Sequence, residues 1–252
     1  MTIEQNWDRM AAAYEGFTES EGSYSYTVEW PCIQEMLPDL KGKAVLDLGC
    51  GTGRFTFLLE KLQTRKITGM DISQNMLDIA KRKAAERNSQ AEFIKGNVSD
   101  LDIGGKYDFV FSSTVTHYIK DLYGLFAKIY AVLNKRCFCV ISVMHPVYTA
   151  QYPVNKGDVF PEDDEWIVRY LDKRERSYIQ PWIEYNDEIE NYLSSCFHHT
   201  LGDYLNSIIK AGFSLVEIRE PGPPEKWKEE QPLRYNAFIE TPSYMILKLF
   251  KP

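Results

Sequence analysis

The sequence predicts an α/β protein built on a parallel sheet, and three observations carry that prediction. Short apolar runs alternate with segments of helical periodicity from Ala44 to Val143. The first run, Ala44-Val45-Leu46-Asp47-Leu48, is of the kind a strand covered on both faces has, and glycines follow it at alternate positions, Gly49, Gly51 and Gly53. A helical pattern begins at once, with Phe55, Leu58, Leu59 and Leu62 at i, i+3, i+4 and i+7. A strand ending in a glycine turn at a helix N-terminus is a place where an open α/β sheet holds a nucleotide-like ligand.

Composition narrows the class. The chain has 252 residues, 44% hydrophobic and 26% charged, with a net charge of −7. That length buries a full core and fits one domain, residues 1–252, with an insertion. An acidic balance argues against nucleic-acid binding, which rests on Lys and Arg neutralising phosphates; Lys81-Arg82-Lys83 is expected to be a solvated helix face. The five cysteines show no CxxC pair or companion histidine spacing, so no metal site is expected. Cys137 and Cys139 read as small core residues of a strand. No apolar run reaches about 18 residues, so no membrane span is expected, and the reading is a reduced, cytoplasmic protein, a monomer or a homodimer.

Taken in order, residues 1–42 form an N-terminal cap segment. Trp7, Met10, Ala11 and Tyr14 have helical spacing, Glu15 to Ser25 reads as a polar loop, and Tyr26 to Leu37 is helix-like around Pro31. The aromatics here either pack on the sheet or form a flap over a ligand. The second strand, Lys66 to Met70, ends in Asp71. Ser73 is a good N-cap, and Met76, Leu77, Ala80 and Ala84 give the next helix a buried side. Asp71 lies about twenty residues past the turn, where a carboxylate can accept from two ribose hydroxyls or merely offset a helix dipole. The third strand, Ala91 to Lys95, leads into Gly96-Asn97-Val98, where Asn97 can meet a purine edge and Val98 its face, or form an ordinary turn.

A fourth strand, Tyr107 to Phe111, runs into Ser112-Ser113 and His117-Tyr118. The helix after Asp121 is lined by Leu122, Leu125, Phe126, Ile129 and Leu133, with Asn134-Lys135 as its stop, and Phe138 to Val143 is a fifth strand. This order calls for right-handed crossovers. Residues 146–199 break the rhythm with many Tyr and Trp and little periodicity, which suggests a lid or substrate-recognition insertion, with hairpin strands at Trp166 to Tyr170 and Ser177 to Gln180. Glu162 to Glu165 reads as a solvated acidic turn. Thr200-x-x-Asp203 opens a helix with Leu201, Leu205, Ile208 and Ile209 inward and Gly212 as its C′ residue. Ser214 to Arg219 is a sixth strand, Glu225 to Glu240 a loop, and Tyr244 to Phe250 a last strand, able to pair antiparallel.

Val45 to Phe55 resembles the first signature motif of class I S-adenosylmethionine-dependent methyltransferases. Gly69-Met70-Asp71-Ile72-Ser73 with Met76-Leu77 resembles the second, and Tyr107 to Val110 with Ser112-Ser113, His117-Tyr118 and Asp121 is similar to the fourth-strand motif. Ala211-Gly212-Phe213 resembles the approach to strand six. His145-Pro146, the aromatic insertion and His199-Thr200 resemble a bacterial small-molecule subgroup, the type 11 methyltransferases. The resemblance implies a Rossmann-like three-layer αβα sandwich whose seven-stranded mixed sheet has order 3-2-1-4-5-7-6 and an antiparallel last strand. It implies S-adenosylmethionine as cofactor, with Gly49, Gly51 and Gly53 making room for it, Asp71 on the ribose, Ile72 on the adenine and Ser113 near the methionine moiety. Tyr14, Asp47, Cys50, Met76, Asn97, Val98, Ser112 and His117 complete the expected cofactor set. The family often has an acid where Asn97 stands; an Asn carbonyl can still accept from the adenine amine.

Methyl transfer from a sulfonium is an in-line displacement, in which the protein mainly aligns the nucleophile in a dry pocket. A base is needed only for an acceptor atom that carries a proton. His117 and His145 are the catalytic candidates, with hydrogen-bonded packing as the other reading of each histidine. Tyr118, His145, Trp166, Trp182 and His199 are the candidates for holding a small-molecule acceptor; a tRNA or protein acceptor, or a non-catalytic cofactor-binding module, is the alternative. Cys50 is expected to be inert. An NAD-type dehydrogenase is disfavoured because its fingerprint is G-x-G-x-x-G, and Arg54 stands where the third glycine belongs.

Overall fold

A computed structural model describes residues 2–19, 23–101, 103–151, 168–179 and 193–252. Its centre is a seven-stranded sheet of order β3-β2-β1-β4-β5-β9-β8. The strands are β1 (Ala44–Leu48), β2 (Lys66–Asp71), β3 (Glu92–Lys95), β4 (Tyr107–Ser113), β5 (Leu133–Met144), β8 (Ser214–Arg219) and β9 (Tyr244–Lys251). β1 to β5 are parallel, and β9 runs antiparallel between β5 and β8. In strand count this is 3-2-1-4-5-7-6 with the last strand reversed, as the resemblance implies.

The period of two along each strand sorts the core into two faces. Ala44, Leu46, Leu48 and Val110 pack with α5 (Leu122–Val132) and with Tyr204 and Ile208 of α7 (Leu201–Lys210). Val45, Phe109 and Phe111 pack on the other face with α2 (Trp30–Met36) and α3 (Arg54–Glu60). The same parity aims Asp47 and Ser113 at the α2–α3 face. α4 (Gln74–Glu86) packs on β2 and β3, and α1 (Ile3–Glu19) packs on α4.

Several elements differ from the sequence reading, each for a local reason. α1 runs on to Glu19 through the expected polar loop, because Glu15 points at α4 and pairs with Arg82 at 2.5 Å and Lys83 at 3.2 Å. Lys83 is therefore buried, and only part of the basic run is a solvated face. β5 starts at Leu133, and the expected stop is a bulge inside it: the register with β4 shifts between Tyr107 and Phe109, and Arg136 takes φ +58°. The hairpin of the insertion pairs β6 (Glu175–Ile179) with β7 (Leu193–Phe197), so the partner of the expected strand at Ser177 comes after residue 192, and the start of the other expected strand, Trp166 to Tyr170, lies outside the described residues. α7 carries the expected capping box, but its inward face is Tyr204 and Ile208, with Leu201 and Ile209 exposed. Gly212 takes φ +98° after its C-cap. The expected loop at 225–240 holds α8 (Trp227–Glu230) and α9 (Pro232–Glu240), the latter with proline in its first turn. A short α6 (Pro146–Thr149) opens the insertion. Among the described residues, no helix is long and apolar enough to cross a membrane.

Candidate functional site

A cavity of about 1100 Å³ opens at the carboxyl ends of β1, β2 and β4. At one end its wall is the turn after β1. Gly49 (φ +71°) and Gly51 (φ +53°) both line it and both occupy the left-handed region that favours glycine. A Cβ on Gly49 would lie 2.1 Å from Val115 Cγ2, so the turn and the segment after β4 are in contact through a missing side chain. Asp71 faces the same end. Its Oδ2 accepts from the Gly51 amide at 2.8 Å and its Oδ1 from the Ser73 amide at 2.9 Å, which fixes the carboxylate and leaves each oxygen a lone pair. Burial raises its pKa, opposed by those amides.

Around Asp71 the cavity is lined by Ile72, Met76, Asn97 and Val98. The Asn97 side-chain oxygen caps the turn at residues 98–100 by accepting from Ser99 N at 2.8 Å and keeps one lone pair. α1 closes this end from above. Asp8 Oδ1 accepts from Ser73 Oγ at 2.7 Å and Asn75 N at 3.1 Å, and Asn75 Nδ2 donates to the Asp8 carbonyl at 2.9 Å. Tyr14, from the same helix, lies over Gly51, its ring 3.6 Å from where a Cβ would be. Burial holds its hydroxyl proton on, raising the pKa to about 12.

The other end of the cavity is aromatic. Trp7 meets Tyr118 edge-on at 5.9 Å, and the Tyr118 and Tyr178 hydroxyls are hydrogen-bonded to each other. Tyr148, Phe238 and Tyr244 add further walls, and Arg234 is the single cation lining the cavity among the described residues. The Arg234 guanidinium lies 4.9 Å from the Tyr24 ring centre and donates to Gln231 Oε1 at 2.6 Å. His117 sits between the two ends. It is buried, its ring centre is 4.1 Å from that of Tyr118, and its buried Nδ1 has no partner among the described residues. Burial, helped by His199, pushes its pKa down to about 3, so the imidazole is neutral at ordinary pH.

Other expected residues point elsewhere. Asp47 faces α3 and accepts from Thr56 Oγ1 at 2.5 Å; burial pushes its pKa up to about 7. Cys50 is buried against Gly69, whose Cβ would come within 2.8 Å of its sulfur, and its thiol pKa is raised well above the ordinary value by burial. Gly53 (φ +82°) caps α3 and packs under Phe57 and Phe93. Ser112 turns away from Ser113 and donates to the Leu48 carbonyl at 2.9 Å. His145 caps α6, accepting from Val147 N at 3.1 Å and meeting Glu220 at 2.8 Å through Nε2. His199 Nε2 donates to the Ile119 carbonyl at 2.8 Å, outside the cavity wall. Trp166, Trp182 and Glu162 to Glu165 lie outside the described residues.

Sequence reasoning missed the α9 wall and Glu29. The signal for α9 was Pro232 followed by Leu233, Ala237 and Phe238 at helical spacing. Glu29 gave no signal, since its burial comes from Ser113, 84 residues away, which donates to it at 2.6 Å.

Comparison with known proteins agrees with this architecture. Residues 45–136 match a family model described as a methyltransferase domain. A demethylmenaquinone methyltransferase from Lactococcus lactis is 34% identical over 193 residues, which span 73% of this chain and 71% of that protein. An uncharacterized protein from Haemophilus influenzae is 26% identical over 241 residues, 92% of this chain and 89% of its own. The crystal structure of an S-adenosylmethionine-dependent methyltransferase from Mesorhizobium loti is 25% identical, with a TM-score of 0.71 over 91% of this chain and 98% of that one. The signature turn, the sheet order and these relatives together make the chain a member of the class I S-adenosylmethionine-dependent methyltransferases.

Proposed function

We propose that this methyltransferase acts on a small, largely apolar acceptor held at the aromatic end of the cavity. The observation that carries the reading is the cavity itself, which joins the Gly49–Gly51 turn and Asp71 to a wall of aromatic rings. Its volume exceeds the roughly 300–1,000 Å³ of single-ligand pockets, leaving room for donor and acceptor together.

The residues present fit S-adenosylmethionine. Asp71, fixed by two amides, has lone pairs spaced for vicinal ribose hydroxyls. Ile72, Met76 and Val98 supply an apolar slot for the adenine. Asn97 can meet the adenine edge through its side-chain NH₂ or through the lone pair left on its side-chain oxygen. The left-handed Gly49 and Gly51 leave backbone exposed to the methionine end, with Ser113 and Tyr14 beside it. The cofactor supplies an activated methyl group on a sulfonium.

The chain's own task is then alignment and exclusion of water. α1, held to α4 through Asp8 and Glu15, acts as the cap over the donor, and the 146–199 insertion contributes Tyr148 and Tyr178 to the acceptor wall. Burial keeps His117 a neutral imidazole with one ring N–H, and from the cavity wall it offers a hydrogen-bonding edge that orients the acceptor's nucleophilic group. His145, engaged by Val147 and Glu220, positions α6. The aromatic wall, with Arg234 the single lining cation among the described residues, favours a small molecule over RNA. Incubation with S-adenosylmethionine and fractionated small metabolites, followed by measurement of S-adenosylhomocysteine, tests this. Turnover in a metabolite fraction is expected; turnover only with RNA or protein would overturn the substrate class.

A further inference from the structure

Glu29 stands out among the buried groups that the reading above leaves without a role. It lies in a π-helical turn, Ser25–Glu29, at the entry to α2. Such turns are rare and concentrate at functional sites. The side chain is fully buried, its Oε1 accepts from Ser113 Oγ at 2.6 Å, and among the described residues its Oε2 has no partner at hydrogen-bond distance. Ser113 lines the cavity one residue past the Leu48–Ser112 register pair, beside the Gly49 turn. Glu29 therefore sits behind the wall against which the methionine end of the donor is proposed to lie.

The groups facing Glu29 come from every neighbouring element. Tyr14 approaches from α1, Arg54 from the start of α3, Ser113 from β4, Ser142 from β5 and Tyr244 from β9. Both tyrosines are neutral at ordinary pH. Burial pushes the Glu29 carboxyl up to about 7, against the Ser113 and Ser142 hydroxyls and the more distant Arg54 guanidinium, which favour the ionised form. A carboxyl with these neighbours is balanced between its two forms, and a cation arriving in the cavity favours the charged one.

We infer that Glu29 is a specificity determinant that favours the cationic sulfonium donor over the neutral thioether product. The inference rests on the proposed placement of the donor at the Gly49–Asp71 end. S-adenosylmethionine carries one more positive charge than S-adenosylhomocysteine. On binding the former, Glu29 gives its proton to solvent and faces the ligand as a carboxylate; on binding the latter it keeps the proton. Methyl transfer removes the sulfonium charge, so Glu29 regains a proton and the product is released from a site that no longer attracts it.

The test is titration calorimetry of each ligand into wild type and Glu29→Gln near pH 7, in two buffers of different ionisation enthalpy, which counts protons exchanged. The ligands' own amino groups titrate alike in both proteins, so the difference between proteins isolates Glu29. The expected result is extra proton release with S-adenosylmethionine in wild type, lost in Glu29→Gln, and no such difference with S-adenosylhomocysteine. The preference for donor over product should rise from pH 6 to 8 in wild type by roughly tenfold more than in Glu29→Gln, the size of one charge–charge interaction through a protein wall. Ser113→Ala, which removes a hydrogen bond to the carboxylate, should move the proton-release maximum to higher pH, and it serves where Glu29→Gln does not fold. Asp47→Asn is the control, since Asp47 also titrates near 7 but faces α3. Equal proton release in wild type and Glu29→Gln, or loss of the effect in Asp47→Asn instead, would overturn the inference while leaving the methyltransferase reading intact. Absence of any binding heat with S-adenosylmethionine would overturn both.

Discussion

Replacing Gly49 by alanine puts a methyl group 2.1 Å from Val115 Cγ2 and 3.1 Å from its Cγ1, at a residue whose φ is +71°. Two costs add. A non-glycine residue in the left-handed region loses about 1–2 kcal/mol. Forcing a methyl into a filled contact costs about 1–3 kcal/mol more, because Val115 is branched at Cβ and cannot swing its methyls away freely. The total is about 2–5 kcal/mol, or a fall in melting temperature of roughly 4–20 °C for a chain of this size. Gly51→Ala separates the terms. Its φ is +53°, but its added Cβ meets only the Tyr14 ring at 3.6 Å, an ordinary contact, so only the backbone cost applies. The order of melting temperatures measured without ligand should be wild type, then Gly51→Ala, then Gly49→Ala, and Val115→Ala should recover part of the Gly49→Ala loss. If Gly49→Ala melts within 2 °C of wild type, or Val115→Ala brings no recovery, the packing of the turn against the segment after β4 has been misread.

Asp71→Ala removes a charged acceptor whose hydrogen bonds are each worth roughly 1.5–3 kcal/mol, so S-adenosylmethionine affinity should fall at least about tenfold, checked by calorimetry; an unchanged affinity would discredit its ribose role. Burial raises the folded pKa of Asp47 to about 7, well above the ordinary carboxylate range, so the stability present at low pH is lost as pH rises from that range through 7. Asp47→Asn should therefore melt above wild type at pH 8.5 and by clearly less at pH 5; a difference independent of pH would refute the assignment. Thr200→Ala breaks the capping box of α7, in which Thr200 Oγ1 accepts from Asp203 N at 3.1 Å, and should cost about 1 kcal/mol in denaturant unfolding. Asp8→Ala frees Ser73 Oγ and Asn75 from α1, and hydrogen exchange in α1 should quicken while β1 and β4 stay protected.

What was legible in the sequence differs between the two ends of the cavity, and the reason is physical. The donor end is made of neighbours in the chain. Gly49, Gly51 and Asp71 act through backbone shape and through backbone amides at the ends of two adjacent strands, so glycine spacing and a strand-end acid announce them. The α5 stripe and the Thr200–Asp203 box were legible for the same reason, being set within one or two helical turns. Strand parity decides what spacing alone does not. Once Val45 and Phe109 face α2 and α3, Asp47 and Ser113 follow them, so Asp47 meets Thr56 while Ser113 meets Glu29. A motif names the residue, and the face of the sheet decides its partner.

The acceptor end is assembled from distant pieces: Trp7 of α1, Tyr118 after β4, Tyr148 of α6, Tyr178 of β6 and Phe238 of α9. None of these has a local pattern that sets it apart from a core aromatic. α9 in particular has no fully buried residue, since one side rests on Trp227 and Tyr24 and another faces the cavity, so it shows no strong apolar stripe and reads as a loop. The histidines show the same limit from the other side. His117, His145 and His199 are equivalent by position near strand ends, yet His145 has both ring nitrogens engaged by Val147 and Glu220 and His199 has Nε2 engaged by Ile119, while His117 lines the cavity. An imidazole already serving as a cap cannot also hold an acceptor without giving up that bond. Of the three, His117 is the one on the cavity wall, and that placement is a property of the assembled fold.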